Sequence, residues 1–292
     1  MKTPEIFRFD GTRPCRLDEI DPAGTGPFQN REEILKTFEE NKAILAKEQE
    51  KLYAQKDYTL LVILQGLDAA GKDGVIRHVF SGLNPEGVKV WSFKQPSDEE
   101  LKHDFLWRTH THLPERGQVG IFNRSYYEEV LVVRVHDLLP TEHIPPNLIT
   151  KHIWEKRYRD ISQFEAYLRE NGILPVKFFL HISKDEQKER LLARLEDPSK
   201  NWKFSTSDVK ERAFWNKYQA CYEETVNHTA SAGAPWYIIP ADKKWYARYL
   251  ISHILVGIVR DLHLQYPETS PEQQKVLAAY RDLLEHGTGE HA

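Results

Sequence analysis

Seven residues, Thr59 to Gln65 (TLLVILQ), carry no charge and run straight into a glycine loop, GLDAAGKDG. No other stretch restricts the fold as strongly. An apolar run of this length, bounded by glycine, is a strand covered on both faces. The loop reads G-x-x-x-x-G-K, and the residues after Lys72 fall into helical spacing. Strand, loop and helix in that order make a phosphate cradle. The glycines let backbone N–H groups point at phosphate oxygens, and the helix N-terminus adds positive potential. Gly66, Ala69, Ala70, Gly71, Asp73 and Gly74 are therefore candidate phosphate-binding positions, with Lys72 set to neutralise a transferred phosphoryl group. A chance match in a turn is the bland reading, and the flanking strand and helix argue against it.

The loop departs from the common pattern at two places. Asp73 stands where Ser or Thr normally holds magnesium, and Asp68 places a second carboxylate inside the loop. Carboxylates are hard oxygen ligands suited to Mg²⁺, and a bridging ion would reconcile acids with phosphates. Asp68 and Asp73 are thus candidate metal ligands. The alternative is that they only cap N–H groups of the loop and helix.

The remainder of the chain follows the same alternation. Residues 1–29 are an irregular N-terminal arm rich in Pro, Gly and Asp, and residues 30–292 are expected to form a single domain. Asn30 with Glu33 caps a helix reaching about Gln55. Strands follow at VKVWSF, GQVGIF, ILPVKFFLHI and PWYIIP, giving five with the first. Ser97 with Glu100 opens a helix that ends before Pro114, YYEEVLVVRV is a helix, and helices also cover about 151–170, 209–229 and 243–265. Strands that alternate with helices, each a continuous apolar run, predict an α/β fold with a parallel sheet flanked by helices.

Two further segments carry chemistry. In FNRSYYEEV the third strand ends on Asn123, followed by Arg124, whose planar fork suits bidentate phosphate contacts; Asn123, Arg124 and Glu128 are candidate nucleotide-side residues. A purely structural ion pair for Arg124 stays open. The stretch RLLARLEDPSKNWKFSTSD gathers Arg190, Arg194, Lys200 and Lys203 around one loop, which reads as a lid over about 190–215 that closes on phosphates and excludes water. Taken singly, these charges are an ordinary solvated face. Trp202 and Phe204 pack the lid or stack on a base. Arg77 is a further phosphate candidate, and Lys94, Arg108 and Arg134 are weaker ones for a polyanion track. HTH at 110–112 lacks the partners of a metal site.

The formal charge of −4 argues against a dedicated nucleic-acid binder. Cys15 and Cys221 are too few for a disulfide framework, and the N-terminus has no apolar signal core, so a cytoplasmic protein without a membrane association is expected.

These motifs together resemble the family-2 polyphosphate kinases, over roughly Asn30 to Tyr266. The carriers are GLDAAGKDG, FNRSYYEEVLVVRVH, KFFLHISKDEQKERL, DPSKNWKFSTSD and PWYIIPADKKWYARYLISHIL, in order. The resemblance implies a P-loop kinase-like three-layer sandwich, a five-stranded parallel sheet with a helical lid. It implies Mg²⁺ and transfer of phosphoryl groups between inorganic polyphosphate and the adenine nucleotides AMP, ADP and ATP. Asp68, Lys72, Arg124, Arg190 and Arg194 match the catalytic positions. Asn123 departs from the acid found in many members that act on nucleoside diphosphates, and the segment is more similar to the branch acting on both AMP and ADP. A homo-oligomer, dimer or tetramer, is also implied. The rivals are a conventional ATP-dependent nucleotide kinase and a nucleotide-binding regulatory module without turnover.

Overall fold

The computed structural model describes residues 5–287, without the side chains of Glu5 and Lys203. Its six strands form one sheet in the order β1-β6-β5-β2-β4-β3. They are β1 (Arg8–Phe9), β2 (Thr59–Gln65), β3 (Val88–Ser92), β4 (Val119–Asn123), β5 (Ile173–His181) and β6 (Trp236–Pro240). The five strands expected from the sequence are present and mutually parallel. The sixth corrects the count: Arg8 and Phe9, within the arm expected to be irregular, pair antiparallel with Tyr237 and Trp236. A two-residue strand leaves no periodicity to detect; the open edge of β6 recruits it.

The helices are α1 (Glu32–Gln55), α2 (Lys72–Val79), α3 (Trp107–His110), α4 (Val132–Val135), α5 (Ile153–Glu170), α6 (Lys184–Glu196), α7 (Thr206–Glu211), α8 (Trp215–Thr229), α9 (Lys244–Asp261) and α10 (Pro271–His286). Three expected helices are broken, the one over about 209–229 dividing into α7, a 3-10 turn (Arg212–Phe214) and α8. The Ser97–Glu100 capping box forms, but a new turn begins where the Leu106 N–H donates to Asp104 at 3.0 Å, leaving only a 3-10 turn and α3. YYEEVLVVRV divides at Leu131 into a 3-10 turn (Tyr126–Val130) and α4, because Tyr126 and Tyr127 turn their hydroxyls into the interior, to Glu165.

β2 sets the layering. Leu60, Val62 and Leu64 face a core built with α1, α2 and α9, while Leu61 and Ile63 face a second core shared with α5 and α8. Alternate side chains of one strand thus serve both layers, as a strand covered on both faces requires. Ile63 is 0% exposed, and its truncation to Ala would cost about 2–5 kcal/mol. A buried hydrogen bond of 3.0 Å from Asn41 to Ser252 fixes the register of α1 on α9. Among the described residues no helix is long and apolar enough to cross a membrane.

Candidate active site

The glycine loop occupies the carboxyl end of β2, between α2 and α6. Gly66 has φ +155°, and a Cβ there would meet the Leu180 carbonyl oxygen at 3.1 Å; Gly71, at φ +112°, begins α2. Both positions need the backbone freedom of glycine. Ala69 holds φ +64° without that freedom. The register of β2 on β4 places Leu64 opposite Asn123, and the Arg124 N–H donates to the Leu64 carbonyl at 3.0 Å. Sheet pairing thereby brings two segments far apart in sequence to one rim.

Arg124 then closes on the loop. Its guanidinium lies 2.7 Å from the Asp68 carboxylate and 3.3 Å from Glu128. These acids, Glu128 foremost, hold Arg124 charged at any ordinary pH. Asn123 donates to Asp73 at 3.0 Å, and its own Oδ1 is buried without a hydrogen-bond partner. Lys72 is buried and donates to the carbonyls of Gly66 (2.6 Å) and Leu67 (3.3 Å). Burial, with the nearby charge of Arg124, pushes the Lys72 ammonium down to about 8, against the pull of Asp68, Glu128 and Asp73.

α6 supports the loop from below. Arg190 donates through Nη1 to Ala69 and Ala70 (both 2.9 Å), through Nη2 to Ala241 (2.6 Å) and Asp242 (3.0 Å), and through Nε to Glu186 (2.8 Å). That set uses every N–H donor of a guanidinium. In this conformation Arg190 is a strut of the loop rather than a phosphate ligand. Gln187 adds a bond to the Asp68 carbonyl at 2.9 Å. Ser183 caps this helix, accepting from the Glu186 N–H at 3.1 Å.

Above the loop opens a cleft of about 1140 Å³. Loop residues 68–74 line it, together with Arg77, Asn123, Arg124, Arg190, Arg194 and Lys200. Gly66 and Glu128 instead border a smaller recess beside Arg124, with Tyr218 and Tyr222. Arg194 pairs with Asp208 at 3.0 Å and Lys200 with Asp197 at 2.5 Å; Lys203 falls outside the described side chains. Trp202, on the cleft's rim, is 78% exposed. Of the weaker candidates, Lys94 lines the cleft. Arg108 binds the Lys94 carbonyl and Glu100, and Arg134 binds Tyr158 and Glu224.

Sequence reasoning missed Lys244 and Arg248, which also face the cleft. Their i,i+4 spacing on α9 was the available signal. Burial first, and then Arg190, pushes the Lys244 ammonium down; burial, Arg31, Arg190 and Arg77 do the same to Arg248. Glu186 pulls Lys244 the other way, but the neighbouring cations and burial prevail, so this wall of the cleft is positive.

The oxygen donors fit Mg²⁺. Asp68, Asp73 and the orphaned Asn123 Oδ1 border the phosphate loop, all hard oxygens. No group of three or more His, Cys, Asp or Glu side chains forms a metal cage among the described residues. Mg²⁺ commonly takes one or two carboxylates and completes its shell with water and substrate phosphates, so this sparse set suits it. His103 stacks on Trp107, and His112 packs edge-on against Trp91 and Phe93.

The family model for polyphosphate kinase 2 matches residues 29–267. An ADP-polyphosphate phosphotransferase from Rhodopseudomonas palustris is 49% identical over 269 residues, covering 90% of this chain and 92% of the relative. An AMP/ADP-polyphosphate phosphotransferase from Meiothermus ruber is 45% identical over 272 residues, covering 93% and 98%. The crystal structure of polyphosphate kinase 2 from Arthrobacter aurescens TC1 superposes with a TM-score of 0.88 at 39% identity, covering 98% of each chain.

Proposed function

The chain belongs to the polyphosphate kinase 2 family, and from that membership we propose that it transfers phosphoryl groups reversibly between inorganic polyphosphate and the nucleotides AMP and ADP. The observation that carries this reading is the cleft beside the glycine loop, where Arg77, Lys244 and Arg248 extend the positive lining past the loop itself. A polyphosphate chain has no adenosine to grip, so affinity must come from charge along its length. The printed names of the two relatives support AMP and ADP as acceptors.

The terminal phosphorus of the donor loses its bond to the bridging oxygen as an oxygen of the acceptor's terminal phosphate forms a new one, in line. The products are a shortened polyphosphate and a nucleotide longer by one phosphate. Lys72 exchanges its bonds to loop carbonyls for phosphate oxygens, and Arg124, at the rim between the two substrates, neutralises charge on the transferred group. Bound Mg²⁺ would be held by Asp68 and Asp73, with Asn123 Oδ1 beside them, and would supply charge neutralisation between donor and acceptor. Residues 190–215 act as the lid: Arg194 and Lys200 leave Asp208 and Asp197 for phosphate, and closure keeps water from the transferred group. The same reading takes residues 30–292 as one catalytic domain acting in the cytoplasm within a homo-oligomer, without nucleic acid or membrane.

The test is ATP formation by purified protein with Mg²⁺ and long-chain polyphosphate, ADP and AMP being supplied separately and adenylate kinase excluded. ATP from ADP, and ADP followed by ATP from AMP, is the expected result. Transfer from ATP with none from polyphosphate would instead establish a conventional nucleotide kinase.

A further inference from the structure

Arg124 carries a backbone conformation that its sequence alone does not favour. Its φ is +66°, in the left-handed region, and it is neither glycine nor asparagine. Such a residue persists only where its surroundings over-determine it. On one side the constraint is plain, since the Arg124 N–H continues the sheet ladder to Leu64. On the other side the chain passes through Ser125, fully extended at φ −164°, into the 3-10 turn Tyr126–Val130. The Ser125 hydroxyl caps that turn, accepting from the Tyr127 N–H at 3.2 Å.

What fixes the turn lies deep in the second core. Tyr126 and Tyr127 both donate their hydroxyls to one oxygen of Glu165 on α5, at 2.8 and 2.7 Å. The other Glu165 oxygen accepts from Lys177 on β5 at 2.6 Å. Lys177 also donates to the Tyr127 hydroxyl (3.0 Å) and to the Thr229 carbonyl (2.8 Å). All four residues are at most 1% exposed. Burial, with the adjacent Glu165 charge, keeps both phenols protonated and so able to donate. None of these groups reaches the cleft.

An interior ion pair seldom stabilises more than a packed apolar pair of equal volume, so stability alone does not account for this one. Its geometry does. We infer that Glu165 is a positioning residue for phosphoryl transfer: through the Tyr126 and Tyr127 hydroxyls it holds the turn that keeps Arg124 left-handed and aimed at Asp68. The same turn carries Glu128, the second acid on the Arg124 guanidinium. A shift of the turn therefore moves the backbone of Arg124 and one of its two side-chain anchors together.

The inference rests on the phosphotransfer reading of this site. Wild-type ATP formation tests that reading; the coupling described next tests this one. The double variant Tyr126→Phe/Tyr127→Phe keeps both rings and removes the two bonds to Glu165 together with the Lys177 bond to the Tyr127 hydroxyl, while Lys177 keeps Glu165 and the Thr229 carbonyl. Its kcat should fall roughly 10- to 100-fold, the cost of a displaced catalytic group, while KM for polyphosphate stays within about twofold. Introduced into Arg124→Ala, the same pair should cost less than about threefold, because the residue being positioned is already gone. Glu165→Gln, which retains an acceptor oxygen for the phenols, should lose less turnover than Glu165→Leu. If the double variant fails to fold, each Tyr→Phe change is carried through the same cycle singly. An equal loss with and without Arg124, or no loss in the wild-type background, overturns the proposal.

Discussion

The guanidinium of Arg190 donates to the carbonyl of Ala69 at 2.9 Å, so that a helix on one side of the sheet end grips a left-handed loop residue on the other. Replacing Arg190 with Met keeps comparable bulk but leaves the carbonyls of Ala69, Ala70, Ala241 and Asp242 without their donor. The expected loss is about 2–4 kcal/mol of unfolding free energy, with turnover falling as the loop relaxes. Chemical denaturation of the two proteins measures it. A variant as stable as the parent would mean that the strut is dispensable.

Lys72 gives the enzyme a basic limb. Its ammonium is pushed down to about 8, so the unliganded site holds the charge below that pH and loses it above. kcat/KM for polyphosphate should decline through an apparent pKa near this value, since that ratio reports the free enzyme. The stability consequence runs the opposite way. Between about 8 and the ordinary value of 10.5 the unfolded chain binds the proton and the folded one does not, so this group's contribution to stability improves as pH rises across that window. A pH–rate profile that stays flat to well above pH 9 would contradict the assignment of Lys72.

Asp68→Asn tests the loop acid. The change removes a charge from both Arg124 and any ion between the substrates, and kcat should drop roughly 100-fold without recovery at saturating Mg²⁺. Near-normal turnover under those conditions would remove Asp68 from metal binding. Circular dichroism and a melting curve confirm that the fold is retained.

Lys244→Ala and Arg248→Ala address the cationic wall. Each should raise KM for long-chain polyphosphate roughly tenfold and leave KM for ADP nearly unchanged, as the proposed placement of the polyanion along α9 requires. The effect should shrink as salt is raised and the wall's field is screened. Equal effects on both substrates would place the nucleotide, not the polyphosphate, against α9.

The loop and the strand ends were legible because their signals are local: TLLVILQ is one unbroken strand, GLDAAGKDG a loop that runs into the first turn of α2, and Arg124 follows directly on β4. Contributions assembled by the tertiary fold were not. Lys244 and Arg248 lie on a helix whose apolar face dominates its pattern, so their common direction is seen only once α9 is packed. Arg190 was visible as a basic residue near the lid, but its bonds to backbone carbonyls have no sequence signature at all. The pair of tyrosines after Arg124 likewise reads as helix by composition, and it is Glu165, far along the chain, that draws it into a 3-10 turn. Helical propensity gives way there to a buried acceptor.

The short antiparallel strand at Arg8–Phe9 has a consequence for how the molecule is assembled. Its partners, Tyr237 and Trp236, are made long after it, so during synthesis this segment waits beside a sheet that lacks its final edge. Contacts of such long sequence separation form slowly, because the loop between them must first be closed. Phe9, Leu17 and Ile20 finish buried in the second core, so docking of the arm seals apolar surface that would otherwise stay open to neighbouring chains on the ribosome.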